Sequence, residues 1–408
     1  PGRESNAEVL TSPLHTKGQL DRDALEDTLA MYDDRPLRIG SLSAATTVPG
    51  VKTDVAAVTA MLKRYGALSF WDYAAAAPYV RIDMNGESPL DAVFISPHKF
   101  IGGPGTPGVL VVKEQLLKNT VPAIVGGGTV SYVTPEDHRF VADAERREEG
   151  GTPAIVESIR AGLVFKLQQD VGIDEIERRE SDLITRAIGR LSRCKNIEIL
   201  GPQDAPRLSI LSLRFKHGER DLHYGYVVSL LNDLFGIQVR GGCSCAGPYG
   251  HLLLGMDMHY SRAIENQIAA GHMILRPGWV RLNFNYFIDA AEFDYLLSAI
   301  ELVAEHGWRL LPYYGIDEGR GVWRYLGKEG NLPVSIANLS FGDTIETGVE
   351  APMWDFEELL QKAARELNAF RPEAPAASKG LPGEAESLRW YVLAQDLAIN
   401  ASDAVVAV

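Results

Sequence analysis

Apolar residues recur along this chain in two rhythms, and the alternation between them predicts its organisation. From Asp23 to Met31 they return every three or four positions, which predicts a helix, whereas Leu37 to Ala44 reads as a strand. Asp54 to Tyr65 repeats the helical spacing, and Ala67 to Phe70 reads as the next strand. The same rhythm continues to Val112 and predicts an α/β layer built on a parallel sheet. After Gly151-Thr152-Pro153 the spacing predicts a long helix, Ala154 to Gln169, followed by the charge-rich Asp174 to Arg193. Leu208 to Phe215 then reads as a strand and Tyr224 to Leu234 as a helix, within a smaller α+β unit ending near His306.

Beyond Trp308 the pattern changes. Leu310 to Trp323 is rich in aromatics and glycine, Trp354 to Leu367 predicts an amphipathic helix, and Ala385 to Leu397 a last helical segment. Between the last two, residues 371–384 are dominated by Pro, Ala, Gly and Ser and read as a flexible linker. The expected organisation is a large domain over 1–155, a smaller one over 156–307, and a C-terminal extension over 308–408. The site is expected between the first two, where clefts usually form.

A chain of 408 residues that is 46% hydrophobic is ample for at least two cores. Its formal charge of −14 argues against non-specific nucleic-acid binding, which favours basic surfaces. No apolar stretch is long enough to cross a membrane, and no signal-peptide pattern opens the chain. Three cysteines suit a reducing compartment, so the cytoplasm is the expected location. Cys243 and Cys245 form a C-x-C pair with no second pair to complete a four-ligand site, which argues against a metal centre.

Chemistry concentrates at two strand ends. Asp91 to Leu110 runs DAVFISPHKFIGGPGTPGVL, an apolar run leading into Ser96-Pro97-His98-Lys99 and a glycine-rich turn. A lysine held there is placed to bind an aldehyde cofactor as a Schiff base, its amine made nucleophilic by desolvation. The plainer reading is a strand with a polar end and a Gly/Pro turn. Upstream, an apolar strand ends at Asp72, followed by small residues that allow close backbone approach. In open parallel sheets ligands sit outside the carboxyl ends of the strands, so Asp72 and Lys99 would share one crevice. Pyridoxal phosphate requires such a pair, a carboxylate for its ring nitrogen and a lysine for its aldehyde. Alternatively Asp72 is a helix N-cap or an arginine's partner.

The stretches FWDYAAAAPYVRIDM and DAVFISPHKFIGGPGTPGVLVV resemble the class V aminotransferase family, the fold-type I pyridoxal phosphate enzymes that include cysteine desulfurases and selenocysteine lyases. Three further stretches match in order: REEGGTPAIVESIRAG from Arg147, VRGGCSCAGPYG from Val239 and VRLNFNYF from Val280. The resemblance runs from about Pro1 to Gly307 and implies a mostly parallel sheet flanked by helices with a smaller α+β domain after it.

Position by position, the resemblance implies that Lys99 is the Schiff-base lysine and Asp72 the carboxylate on the pyridine nitrogen. It gives Ser96 and His98 to the cofactor phosphate, and Arg281 to the substrate's α-carboxylate, a task suited to a planar fork. Gly105 and Thr106 fall in the loop that reaches the partner subunit's phosphate, which implies a homodimer. Cys245 aligns with a loop cysteine that takes substrate sulfur as a persulfide, for which a protein or small-thiol sulfur acceptor is needed. Its plainer reading, like that of Cys194, is a small buried hydrophobe.

Departures are also visible. Thr47 stands where the family has asparagine near the cofactor's phenolic oxygen, and Ala75 stands where many desulfurases have glutamine. Pro1 to Ser5 resembles the stretch just after the family's ring-stacking histidine, so the expected parent is longer and carries that histidine and a phosphate-binding loop upstream. Three functions follow: a carbon–sulfur lyase acting on cysteine or a related amino acid, an aminotransferase or other reaction at the α or β carbon, and a cofactor-free scaffold. Cys245 discriminates the first from the second.

Overall fold

The computed structural model describes residues 6–15, 18–243, 247–327, 354–369 and 380–397. The chain divides into two compact units, one comprising Pro1–Ser181 with Asp204–Leu208 and the other Asp182–Gln203 with Ser209–Val408.

Unit 1 begins with α1 (Arg22–Met31), capped by the Asp21 carboxylate, which accepts from the Ala24 N–H. Strand β1 (Ile39–Ser43) leads to α2 (Val55–Arg64), where Asp54 caps in the same way and Val58, Met61 and Leu62 form the buried stripe. Then come β2 (Leu68–Asp72), β3 (Ala92–Ile95) and β4 (Val109–Val112). The sheet order is β1-β2-β3-β4. The first three strands are parallel, with Ser43 opposite Asp72 and Asp72 opposite Phe94. Strand β4 runs antiparallel to β3, which corrects the expectation that the parallel run continues to Val112. A parallel partner needs a crossover, usually a helix, and residues 96–108 make only a 3-10 turn and a glycine turn, so the chain doubles back.

The hairpin β5 (Val130–Val133) and β6 (His138–Phe140) follows, then α3 (Ala144–Glu148) and α4 (Ile155–Val171). Helix α5 (Ile173–Leu191) carries the chain from unit 1 into unit 2.

Unit 2 holds β7 (Ile197–Ile199), β8 (Ile210–His217), β9 (Arg220–Leu222), α6 (Tyr224–Phe235), β10 (Arg240–Gly242), α7 (Gly247–Leu253), α8 (Met258–Ala269), β11 (Trp279–Asn283) and α9 (Ala290–His306). Its antiparallel sheet is ordered β10-β11-β8-β7, with β9 on β8. The two-stranded β12 (Tyr314–Asp317) and β13 (Val322–Tyr325), helix α10 (Phe356–Asn368) and the short α11 (Glu384–Ser387) complete it. One apolar core runs through this unit, from Leu183 and Leu213 through Tyr226, Phe293 and Trp323 to Tyr391 and Leu393.

Residues 371–379 of the expected linker lie outside the described residues. The expected helix over Ala385 to Leu397 is corrected: after α11 the chain is extended through Tyr391 and closes in a 3-10 turn at Ala394–Asp396. Tyr391, Val392 and Leu393 are consecutive and all buried, a demand that a one-sided helix cannot meet. Their backbone is bound instead to β9, with Asp221 N–H donating to the Trp390 carbonyl and Val392 N–H to that of Asp221.

Candidate active site

In unit 1 the parallel strands bring the two strand-end residues to one edge of the sheet. Asp72 is the last residue of β2, and Lys99 closes the 3-10 turn Pro97–Lys99 that follows β3. Because β2 and β3 are parallel neighbours, their carboxyl ends open on the same edge. Asp72 is exposed; its Oδ1 accepts from the Ala74 N–H at 2.7 Å, and its Oδ2 faces the Ser43 hydroxyl at 3.5 Å. No helix starts at Asp72, and among the described residues it has no ion pair, so it is neither an N-cap nor an arginine's partner here. Tyr73 beside it is buried, and burial pushes its phenol up to about 12, which keeps it a neutral hydroxyl.

Local bonding fixes both turns. The Gln168 side chain of α4 donates to the Ala77 and Pro78 carbonyls at 2.8 and 2.9 Å, holding the small-residue turn after Asp72. Lys99 N–H donates to the Ser96 carbonyl, Phe100 N–H to Pro97, and Gly103 N–H to Phe100. A Cβ at Gly103 would lie 2.0 Å from the Pro97 carbonyl oxygen, so only glycine lets the chain fold back this closely on the lysine turn. From α4, Arg160 donates to the Pro104 carbonyl at 2.9 Å, and Phe165 meets Phe100 edge to face.

Lys99 and His98 are exposed, so position rather than burial distinguishes this lysine within the described chain. Ser96 is half-buried and its side chain does not cap the turn. Thr47 is half-buried in the turn after β1. Gly105 is exposed at φ 86°, while Thr106 is buried and donates its hydroxyl proton to the Gly103 carbonyl at 2.7 Å.

In unit 2, Arg281 is half-buried in the middle of β11, opposite Ser212 of β8 on one side and Arg240 of β10 on the other. Directly opposed residues share a sheet face, so the two arginines stand on one face of this sheet. Arg240 was not singled out from the sequence; its signal was the register between VRGG and VRLN, visible only once the strands pair. Gly242 ends β10 and Cys243 follows, a half-buried free thiol, while Cys245 lies outside the described residues. Cys194 sits just past α5, with its thiol 3.8 Å from the Glu301 carboxylate. Burial first, and Glu301 next, push that thiol up to about 11, which makes it inert as a nucleophile near neutrality.

The model of the family Aminotransferase class-V matches residues 2–296. A probable cysteine desulfurase from Halobacterium salinarum is 30% identical over 298 residues, covering 73% of this chain and 64% of that protein. One from Halalkalibacterium halodurans is 30% identical over 246 residues, covering 60% and 57%. Among solved structures, an apo cysteine desulfurase from Thermococcus onnurineus is similar with a TM-score of 0.61 at 23% identity, over 74% of this chain and 68% of that one. A cysteine desulfurase from Escherichia coli, in an S-sulfonic acid form, gives 0.60 at 23% identity, over 74% and 67%.

The fold is thus that of the fold-type I pyridoxal phosphate enzymes, an α/β layer with a mixed sheet flanked by helices. The chain belongs to the class V aminotransferase family. It spans 57% and 64% of the length of the two curated relatives above.

Proposed function

We propose that this protein is a pyridoxal-phosphate-dependent carbon–sulfur lyase of the cysteine desulfurase type, acting on cysteine or a related amino acid. The observation that carries this reading is the shared sheet edge of Asp72 and Lys99, within a chain that the family model matches over residues 2–296. A carboxylate without an ion pair among the described residues, an exposed amine, an imidazole and a half-buried hydroxyl on that edge fit the donor set of the cofactor.

When bound, pyridoxal phosphate supplies an electron sink for the α-carbon of an amino acid. Asp72 would keep the ring nitrogen protonated, held in direction by the Ala74 N–H. Lys99 would anchor the aldehyde through Nζ and then move the proton at the substrate α-carbon. Ser96 and His98 would donate to the phosphate, and Thr47 one hydrogen bond to the phenolic oxygen. Arg281 would clamp the substrate carboxylate, with Arg240 adding positive charge beside it. Cys245 would take the substrate sulfur: its thiolate forms an S–S bond, the carbon–sulfur bond breaks with its electron pair passing to carbon, and an acceptor thiol later removes the persulfide sulfur.

A homodimer completes the proposal, with Gly105 and Thr106 turned to the partner's phosphate. The exposed apolar side chains of Ile155, Ile159 and Leu163 on α4 support it. A reducing compartment, the cytoplasm, suits the free thiols of Cys194 and Cys243. Among the described residues no helix is long and apolar enough to cross a membrane.

The test is sulfide release from cysteine together with the visible spectrum after incubation with pyridoxal phosphate. Lys99→Ala should remove the lysine-dependent band. Cys245→Ser should keep the band and abolish release, and unchanged release would remove the persulfide role. Amino-group transfer without sulfide release would favour the aminotransferase reading.

A further inference from the structure

Past the residues matched by the family model, Gly380 to Leu397 forms a strap on unit 2. Its backbone is bound to Asp221 of β9, whose N–H donates to the Trp390 carbonyl at 3.2 Å and whose carbonyl accepts from the Val392 N–H at 2.9 Å. The Trp390 indole N–H donates to the Leu275 carbonyl at 3.0 Å, and the Tyr260 hydroxyl to the Leu388 carbonyl at 3.2 Å. Arg389, buried, is gripped by the Glu386 and Asp396 carboxylates at 2.5 Å each, a clamp that lies within the strap itself.

Beneath the strap lies His223, which caps α6. Its ring is fully buried among aromatic neighbours: Trp390 stacks on it at 5.1 Å and 23°, Tyr391 meets it edge-on at 4.8 Å, and Tyr224 and Trp323 lie at 4.3 and 5.8 Å. Both ring nitrogens are committed. The Gly225 N–H donates to Nδ1 at 2.9 Å, so Nε2 carries the proton and donates to the Ile274 carbonyl at 3.1 Å. A second proton would go to Nδ1, where it would face an N–H instead of an acceptor. It would break the cap and put a positive charge at the N-terminus of α6, the end whose dipole opposes cations. Burial accordingly pushes the imidazole down from 6.5 to about 3.

The charges on the surrounding elements do not favour the imidazolium. On the strap, Glu386 and Asp396 are bound to Arg389, and on β9 Asp221 is bound to Arg214 at 2.7 Å and Lys216 at 2.9 Å, with Arg220 3.4 Å from Asp396. Arg276 follows the turn that carries Ile274, His272 precedes it and lies 3.7 Å from Glu318, and Arg324 stands beside Trp323 on β13. The neighbouring carboxylates already have partners.

We infer that His223 is a pH-sensitive latch for the strap: protonation of its ring undocks Gly380–Leu397 from unit 2 while the rest of the unit stays folded. The ring must reach water to take up the proton. Tyr224 and Trp323 belong to α6 and β13, whereas Trp390 and Tyr391 lift away with the strap, whose clamp travels with it, so the strap is the cover that opens at least cost. Docking keeps its full advantage above about 6.5 and loses it as pH falls toward 3. Arg389 holds the Glu386 carboxyl below its usual range; burial raises that of Asp396, but the bonds to Arg389 and the Leu393 N–H leave it lowered. The clamp therefore weakens only below about 4.5, and the interval from pH 7 to 5 isolates the imidazole from these carboxylates.

The experiment is amide hydrogen exchange of the full chain at pH 7, 6 and 5, corrected for the intrinsic pH dependence of exchange. The Asp221 and Val392 amides report the strap, and the Leu213 amide in the middle of the core sheet reports global opening. Protection at Asp221 and Val392 should fall about 25-fold between pH 7 and 5, approaching tenfold per unit, while Leu213 stays protected. His223→Gln, which keeps one donor and one acceptor but does not titrate, should flatten that fall. His272→Gln, which removes the imidazole beside Glu318, should keep it, and with the parent profile decides the matter even if His223→Gln fails to fold. Strap protection independent of pH in the parent, exposure of Leu213 in step with Val392, a fall that persists in His223→Gln, or one that disappears in His272→Gln each overturns the inference.

Discussion

The two units handle apolar surface in opposite ways. Unit 2 buries one continuous core that reaches Tyr391 and Leu393, with Leu213, Phe293, Trp323 and Tyr391 all nearly inaccessible. Unit 1 leaves Phe94 and Leu110 exposed on its sheet, and Ile155, Ile159, Leu163 and Leu167 exposed at four-residue intervals along α4. Each fully buried Leu or Phe stabilises by about 1.5–3 kcal/mol, so the stability of the described chain is concentrated in unit 2. Unit 1 carries the sheet edge with Asp72 and Lys99, both exposed.

The largest separation between the units should come from paired substitutions. Lys99→Ala is expected to remove lyase activity by at least about a thousandfold while changing stability by less than about 0.5 kcal/mol, because an exposed side chain loses little packing. Sulfide release and urea unfolding report the two quantities, and a large stability loss would show that Lys99 is a packing residue instead. Phe293→Ala should do the reverse. It removes a ring that meets Phe284 at 5.1 Å in the unit 2 core, and should destabilise that unit by about 3–5 kcal/mol.

Much of this contrast was legible in the sequence. The helices at 55–64, 155–171 and 224–235 follow from their apolar periodicity, and Asp72 falls at a strand end because LSFWD is apolar up to that residue. The class of the fold followed from ordered motifs. Three things were hidden because they depend on contacts distant in sequence. The reversal of β4 depends on the tight return through Gly103 rather than on the residues of β4 itself. The opposition of Arg240 and Arg281 exists only in the register of β10 and β11. Ala385 to Leu397 suits a helical pattern in sequence, whereas backbone pairing with Asp221 and the consecutive burial of Tyr391, Val392 and Leu393 decide otherwise.

A pH scan sharpens the comparison, since His223 ties unit 2 to proton concentration. Its ring is fully buried, its Nδ1 accepts from the Gly225 N–H, and its Nε2 carries the proton toward the Ile274 carbonyl. Burial pushes its pKa down from 6.5 to about 3. The folded state thus keeps the imidazole neutral while the unfolded chain takes up a proton below about 6.5, so this contribution is complete above that pH and is lost as pH falls toward 3. Stability of unit 2 should fall by up to about 1.4 kcal/mol per pH unit within that window. Denaturant titrations at pH 7, 6 and 5 should show the decline, and His223→Gln should flatten it. A slope unchanged by that substitution would assign the pH dependence to other groups.

The smallest expected effect tests the exposed stripe of unit 1. Leu163 is 63% exposed, and its neighbours one turn away on the same helix face are Ile159 and Leu167, also exposed. Leu163→Ala therefore opens no cavity; it removes a pair of surface contacts that stabilise a helix by a few tenths of a kcal/mol, and alanine's higher helix propensity offsets part of that. The expected cost in the isolated chain is below about 0.5 kcal/mol, against about 2–5 kcal/mol for the same truncation at Leu213, whose side chain is wholly buried. Urea unfolding of both variants at one protein concentration gives the comparison directly. A cost near 2 kcal/mol at Leu163 would break it, because the stripe would then be covered in solution, by a second copy or by residues outside those described, and the stability of unit 1 would belong to that contact rather than to the unit alone.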